Sequence, residues 1–183
     1  MAKGFEHALD RAPIGRERFP RRVRYPLNFT ITPAAAGAGV GFHNITFGAM
    51  PEGNVLLLSS GGYFNFSSSS ANLTATWGGN FGVGSVATAA GALTGTEVNI
   101  VASSAIANSV AKVSNGNRGL FAGSNAAASA FTASPPVLIN NVAKGVNLIF
   151  NIAVNAADIT DATSAPVLVT GYLDLVVMIL GDN

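Results

Sequence analysis

Cysteine is absent from the 183 residues, so the chain can form no disulfide, no thiolate metal site and no Cys nucleophile. Charge is scarce. Asp, Glu, Lys and Arg make up 10% of the chain, against roughly 25% in a typical soluble domain. Mean hydropathy is correspondingly positive at +0.40. Long apolar runs are also missing: the longest, Val167 to Leu180, is interrupted by Thr170, Gly171 and Asp174. It falls short of the roughly 20 apolar residues of a spanning helix, so no membrane partner is expected. The start, MAKGFEHALDRAPIGRERFPRRVRY, lacks the apolar stretch and small-residue cleavage site of a secretory signal, and export by that route is not expected.

What fills the space is Ala, Gly, Ser, Thr and Asn, residues suited to close packing, tight turns and side-chain hydrogen bonding. A surface so poor in charge points to burial in an assembly; a small-residue β-protein that stays monomeric is the plainer alternative. The length fits one core. Charge divides the chain unevenly, because seven of the ten basic residues, Lys3, Arg11, Arg16, Arg18, Arg21, Arg22 and Arg24, precede residue 25. Pro13, Pro20 and Pro26 punctuate that region and push the residues before them toward extended geometry. Two parts are therefore expected: a basic extended N-terminal arm over residues 1–26 and a body over residues 27–183.

In the body, short β-like runs alternate with clusters of Gly, Asn, Ser and Pro, as in an antiparallel sandwich or barrel. Strands are expected at Leu27 to Thr32, Phe42 to Phe47, Asn54 to Leu58, Tyr63 to Ser67, Asn72 to Trp77, Phe81 to Thr88 and Glu97 to Ala102. Further ones are expected near Leu120, from Val137 to Val142, from Val146 to Val154 and from Val167 to Leu180, the last bent at Gly171. The pattern is clearest in the final two. Val146, Leu148, Phe150, Ile152 and Val154 point one way while Asn147, Asn151 and Asn155 point the other, a period of two. In the last strand Val167, Val169, Leu173, Leu175, Val177 and Ile179 share one face, yet Leu168, Tyr172, Val176, Met178 and Leu180 occupy the other. A strand apolar on both faces is covered on both, and here the second face reads as a subunit interface. Residues 103–136 are Ala-, Ser- and Asn-rich and fit either a long excursion or an Ala-rich helix over Ser103 to Val113.

Chemistry is hard to place in this chain. Alternating glycines at Gly37, Gly39 and Gly41, and again at Gly82 and Gly84, lack the strand-to-helix context of a dinucleotide motif and read as turns, bulges and close backbone approach. His7 and His43 lie far apart, and no His-x-His pair exists of the kind a metal-dependent cupin enzyme uses. A serine nucleophile needs a base within reach. His43 stands between Phe42 and Asn44 in a strand, where packing or hydrogen bonding is the expected role. Asp158, Asp161, Asp174 and Asp182 are scattered, with turn positions as their simplest explanation and a weak calcium site as the alternative. No cofactor, metal or catalytic residue is assigned, and the chain is expected not to be an enzyme.

The sharpest feature is the arm, where Arg11, Arg16, Arg18, Phe19, Arg21, Arg22, Arg24 and Tyr25 interleave guanidinium and aromatic groups. Arginine forks grip carboxylates or phosphates. Three acids dilute the arm and the body is acidic, so docking on an acidic protein surface is favoured over nucleic acid, with a solvated tail as the plainest alternative.

The run VNLIFNIAVNAADITDATSAPVLVTGYLDLVVMILGDN resembles the endings of capsid decoration, or cement, proteins of tailed bacteriophages. The likeness lies in the Asn-alternating strand from Asn147 to Asn155, the loop opening Ala156-Ala157-Asp158-Ile159, the strand opening Val167-Leu168-Val169-Thr170-Gly171, and Leu180-Gly181-Asp182. It implies a jelly-roll β-sandwich, trimeric with other copies of itself, made in the host cytoplasm and seated on the outer capsid surface, where it stabilises the shell. The major capsid protein would then be the arm's partner, and Leu168, Tyr172, Val176, Met178 and Leu180 the subunit interface. A tail, baseplate or fibre component, or a lectin-like binding module, is the alternative for the same kind of sandwich.

Overall fold

The computed structural model describes residues 19–35, 40–74, 76–89, 91, 93–106, 115–121, 137–160 and 165–180. Arg11, Arg16 and Arg18 lie outside them. Ten strands form: β1 (Arg21–Ile31), β2 (Ala34–Ala35), β3 (Val40–Ala49), β4 (Gly53–Ser67), β5 (Gly79–Gly84), β6 (Val101–Ile106), β7 (Asn115–Phe121), β8 (Val137–Asn141), β9 (Asn147–Asn155) and β10 (Val167–Ile179). They make two five-stranded antiparallel sheets. Sheet A has the order β1-β10-β4-β7, with β8 also pairing β4, and sheet B the order β2-β3-β9-β5-β6.

The pairing is nested. β1 pairs β10, β3 pairs β9, β4 pairs β7 and β5 pairs β6, as if one long hairpin had been rolled up. Contacts of β10 with β4 and of β9 with β5 then join the rolled pairs into the two sheets. This is the eight-stranded jelly roll, with β2 and β8 as short additions, and it agrees with the all-β sandwich read from the sequence.

Alternation decides what lies between the sheets. Leu148, Phe150, Ile152 and Val154 of β9 and Val167, Val169, Leu173, Leu175 and Val177 of β10 are all fully buried. Phe64 and Phe66 of β4 meet Phe81 of β5 and Phe150 of β9, with ring centroids 4.9 to 6.2 Å apart. Burying a large aromatic contributes roughly 1.5–3 kcal/mol each, so this cluster is the centre of the core. Where a bend was expected, Gly171 has φ +128° and a Cβ there would collide with the Tyr63 carbonyl oxygen of β4, while the strand continues and its register irregularity against β4 falls between Val176 and Val177.

Four expectations change. β1 begins at Arg21 rather than Leu27, so residues 21–26, assigned to the arm, are the first half of a sheet strand. Proline disguised it; at an edge strand Pro26 sacrifices no ladder bond. Asn72 to Trp77 is not a strand but a turn with one bridge, Leu73 to Ile159. Glu97 to Ala102 splits into a 3₁₀ turn at Gly95–Val98 and the start of β6. β6 also takes Val101–Ile106 out of the Ala-rich helix weighed for Ser103 to Val113, whose remaining residues lie outside those described.

Candidate functional site: the outer face of sheet A

Strand parity puts Arg22, Arg24, Pro26, Asn28 and Thr30 of β1 on the outside of sheet A, all exposed. Their partners on β10 are Val176, Asp174, Tyr172, Thr170 and Leu168. One row further, β4 sets Ser59, Gly61, Tyr63, Asn65 and Ser67 beside the same β10 residues. The residues expected to bind an acidic partner and those expected to form a subunit interface are thus neighbours on one surface. Leu168 and Leu180 are 39% and 46% exposed, while Tyr172, Val176 and Met178 are partly covered by adjoining side chains.

At the end where β1 begins, the face becomes apolar. Met178 lies opposite Leu56, Leu56 opposite Leu138, and Leu180 follows Met178. Leu138 is 60% exposed, and just before β1 so is Phe19, at 70%.

An ion cluster occupies the middle. Arg24 donates from Nε and Nη2 to the two carboxylate oxygens of Asp174, at 2.8 and 2.9 Å, and Arg22 Nη2 donates to the same carboxylate. The Arg24 guanidinium also lies 4.0 Å from the centre of the Tyr172 ring. Hydrogen bonding from Arg24, then Arg22, holds the Asp174 carboxyl down at about 2, against an ordinary value of 3.8. The same bonds raise both arginines. The sequence reading treated Arg22 and Arg24 as free for a partner; in the fold each has part of its donor set committed to Asp174.

Tyr25 has a role of its own within the fold. Tyr25 points between the sheets, donates its hydroxyl to the Ala49 carbonyl at 2.9 Å and packs edge-on against Phe47, and burial raises its pKa. It fastens β1 to the end of β3 rather than facing a partner. Arg21, opposite Val177, is exposed at the start of the strand.

Elsewhere the polar groups serve the fold. Asp158 accepts from Thr74 Oγ1, from the Gly78 amide and from Asn155 Nδ2, at 2.9 to 3.1 Å, clasping the β4–β5 turn to the loop after β9. His43 is exposed on β3, with its Cα opposite Ile152. Among the described residues no three of His, Asp and Glu converge as a metal ion would require, and no helix is long and apolar enough to cross a membrane.

No family model and no curated protein matches this sequence. Solved structures do resemble its fold. One is the T13 viral particle of infectious bursal disease virus, at 15% identity and TM-score 0.43, covering 87% of this chain and 31% of that one. Another is the Gx strain of the same virus, at 15% identity and TM-score 0.43, covering 90% and 34%. A third is the VP2 subviral particle of that virus, at 14% identity and TM-score 0.42, covering 87% and 33%. The chain spans about a third of the length of these chains.

Proposed function

We infer that this chain is a non-enzymatic structural component of a tailed-bacteriophage virion, which binds the outer surface of the capsid, assembles as a homotrimer and stabilises the shell by docking on the major capsid protein. The observation that carries the reading is the outer face of sheet A, where an apolar end adjoins an ion cluster on a chain with only 10% charged residues. Exposed contiguous apolar surface of this kind marks an interaction site. The likeness of the last strands to decoration proteins gives the partner. Leu168, Tyr172, Val176, Met178 and Leu180 supply the apolar contact, and Arg11, Arg16 and Arg18, which precede the sheet in chain order, add to the basic charge of the chain's first part. Repeated attachment of a multi-copy protein raises the effective concentration of each further contact, so weak individual contacts suffice.

The test is co-sedimentation of the full chain with mature, expanded shells of the phage that encodes it, beside a version lacking residues 1–18, which leaves β1 whole. Saturable pelleting of the full chain and weaker pelleting of the shortened one is the expected result. Absence of pelleting by either overturns the reading.

A further inference from the structure

The outer face of sheet A holds two arginines in a fixed pose, and their unused donors have a direction. Arg24 commits Nε and Nη2 to Asp174 and Arg22 commits Nη2. Nη1 of both side chains and Nε of Arg22 make no hydrogen bond among the described residues. Side-chain exposures of 59% for Arg22 and 51% for Arg24, against 13% for Asp174, place the guanidinium groups above the carboxylate that holds them. Asp174 thus acts as a positioning residue. It removes rotamer freedom from two long side chains before any partner arrives, a cost that docking would otherwise meet.

We propose that this arginine pair is a preset fork for carboxylates of a protein partner, and that the partner lies flat across the outer face of sheet A, with its apolar side chains on Leu56, Leu138, Val176, Met178 and Leu180. The proposal rests on the capsid-binding reading, moves the main attachment from the segment before the sheet to the sheet itself, and gives Val176, Met178 and Leu180, expected as subunit interface, to the capsid contact instead. Charge complementarity fixes the sign of the partner, since the described charges at this edge are Arg21, Arg22 and Arg24 against Asp174 alone. A phosphate backbone suits the face poorly. Nucleic-acid binding draws on many basic contacts, whereas this cluster contains a carboxylate and runs directly into exposed leucines. Carboxylates set among apolar side chains satisfy both halves of the surface, and a guanidinium that already bonds one carboxylate still has a second edge to offer.

The experiment measures binding of the full chain to the same expanded shells, for the wild type, Arg22→Glu/Arg24→Glu, Arg22→Gln/Arg24→Gln and Leu138→Asp. Melting curves check that each folds. The glutamine pair serves if charge reversal prevents folding. The expected result is a roughly 30-fold or greater loss of affinity for charge reversal. A smaller loss is expected for the glutamine pair and for Leu138→Asp, and wild-type binding should weaken as salt rises from about 50 to about 300 mM, where screening shortens. Wild-type binding with full affinity in all folded variants overturns this proposal and leaves the capsid reading standing. No wild-type binding overturns both. Displacement of the shells by a single-stranded oligonucleotide, abolished by charge reversal, assigns the face to phosphate instead. Conversion of an oligomer to monomers by charge reversal, with shell binding retained, assigns it to a second copy.

Discussion

The two sheets present their outer faces very differently, although both have a central strand with apolar or amide residues outside. Sheet B is roofed by its own chain. Residues 85–89 and 93–100 fold back over β5 and β9, where Leu93 and Val98 pack on Ala153. Asn151, fully buried, accepts from the Thr88 amide and donates to the carbonyls of Val86 and Glu97. Asn44, opposite Asn151 on β3, reaches the Thr88 carbonyl. Gly82 and Gly84 make the roof possible: a Cβ on Gly82 would strike Val98, and one on Gly84 the Thr96 and Glu97 backbone. Sheet A has no such roof among the described residues, and its outer leucines stand exposed. Among the described residues, an outward apolar side chain is therefore covered on sheet B by the chain's own roof and exposed on sheet A.

Substitutions on the two faces sharpen that contrast. Replacing Asn151 with Ala strips the roof of its central tie and strands two carbonyls and an amide, each costing roughly 1–3 kcal/mol when buried without a partner. A loss of about 3 kcal/mol in denaturant unfolding is expected, with faster amide exchange in residues 86–99. A stability change under about 1 kcal/mol would show that the roof holds without it.

On sheet A the expected effects are smaller. Asp174 has a lowered folded pKa, so the stability it contributes is present above its ordinary value of 3.8 and is lost as pH falls through about 2. The wild type should lose melting temperature across that window more steeply than Asp174→Asn. Parallel curves would mean that the cluster contributes nothing to the fold. Smallest of all, Leu138→Asn should change stability by less than about 0.5 kcal/mol, as surface positions do. A larger loss would place Leu138 under a cover like that of sheet B.

The sequence revealed most where side-chain periodicity and burial agree. β9 and β10 were legible because each repeats an apolar residue at every second position, and the special backbone at Gly171 because a lone glycine interrupts one such repeat. β1 was only half legible: Arg22, Arg24 and Pro26 face outward, so its first six residues carry no apolar alternation beyond Val23 and Tyr25. The outward apolar set of β10 could be read as a contact face, yet its ion cluster could not, since Arg22 and Asp174 are brought together only by the register of the first and last strands. The roof over sheet B escaped notice for a similar reason. Its anchor is a single asparagine in a strand, and Asn147, Asn151 and Asn155 look alike in sequence although the roof buries only Asn151.

The nested pairing also orders events in time. β10 lies between β1 and β4 and is the last of these strands to leave the ribosome, so sheet A lacks its centre until residues 167–179 emerge. Until then β1 has no ladder to join, and β4 lacks its neighbour on that side. Such a chain must close its longest loop before its first strand gains a partner, which makes folding slow for its size.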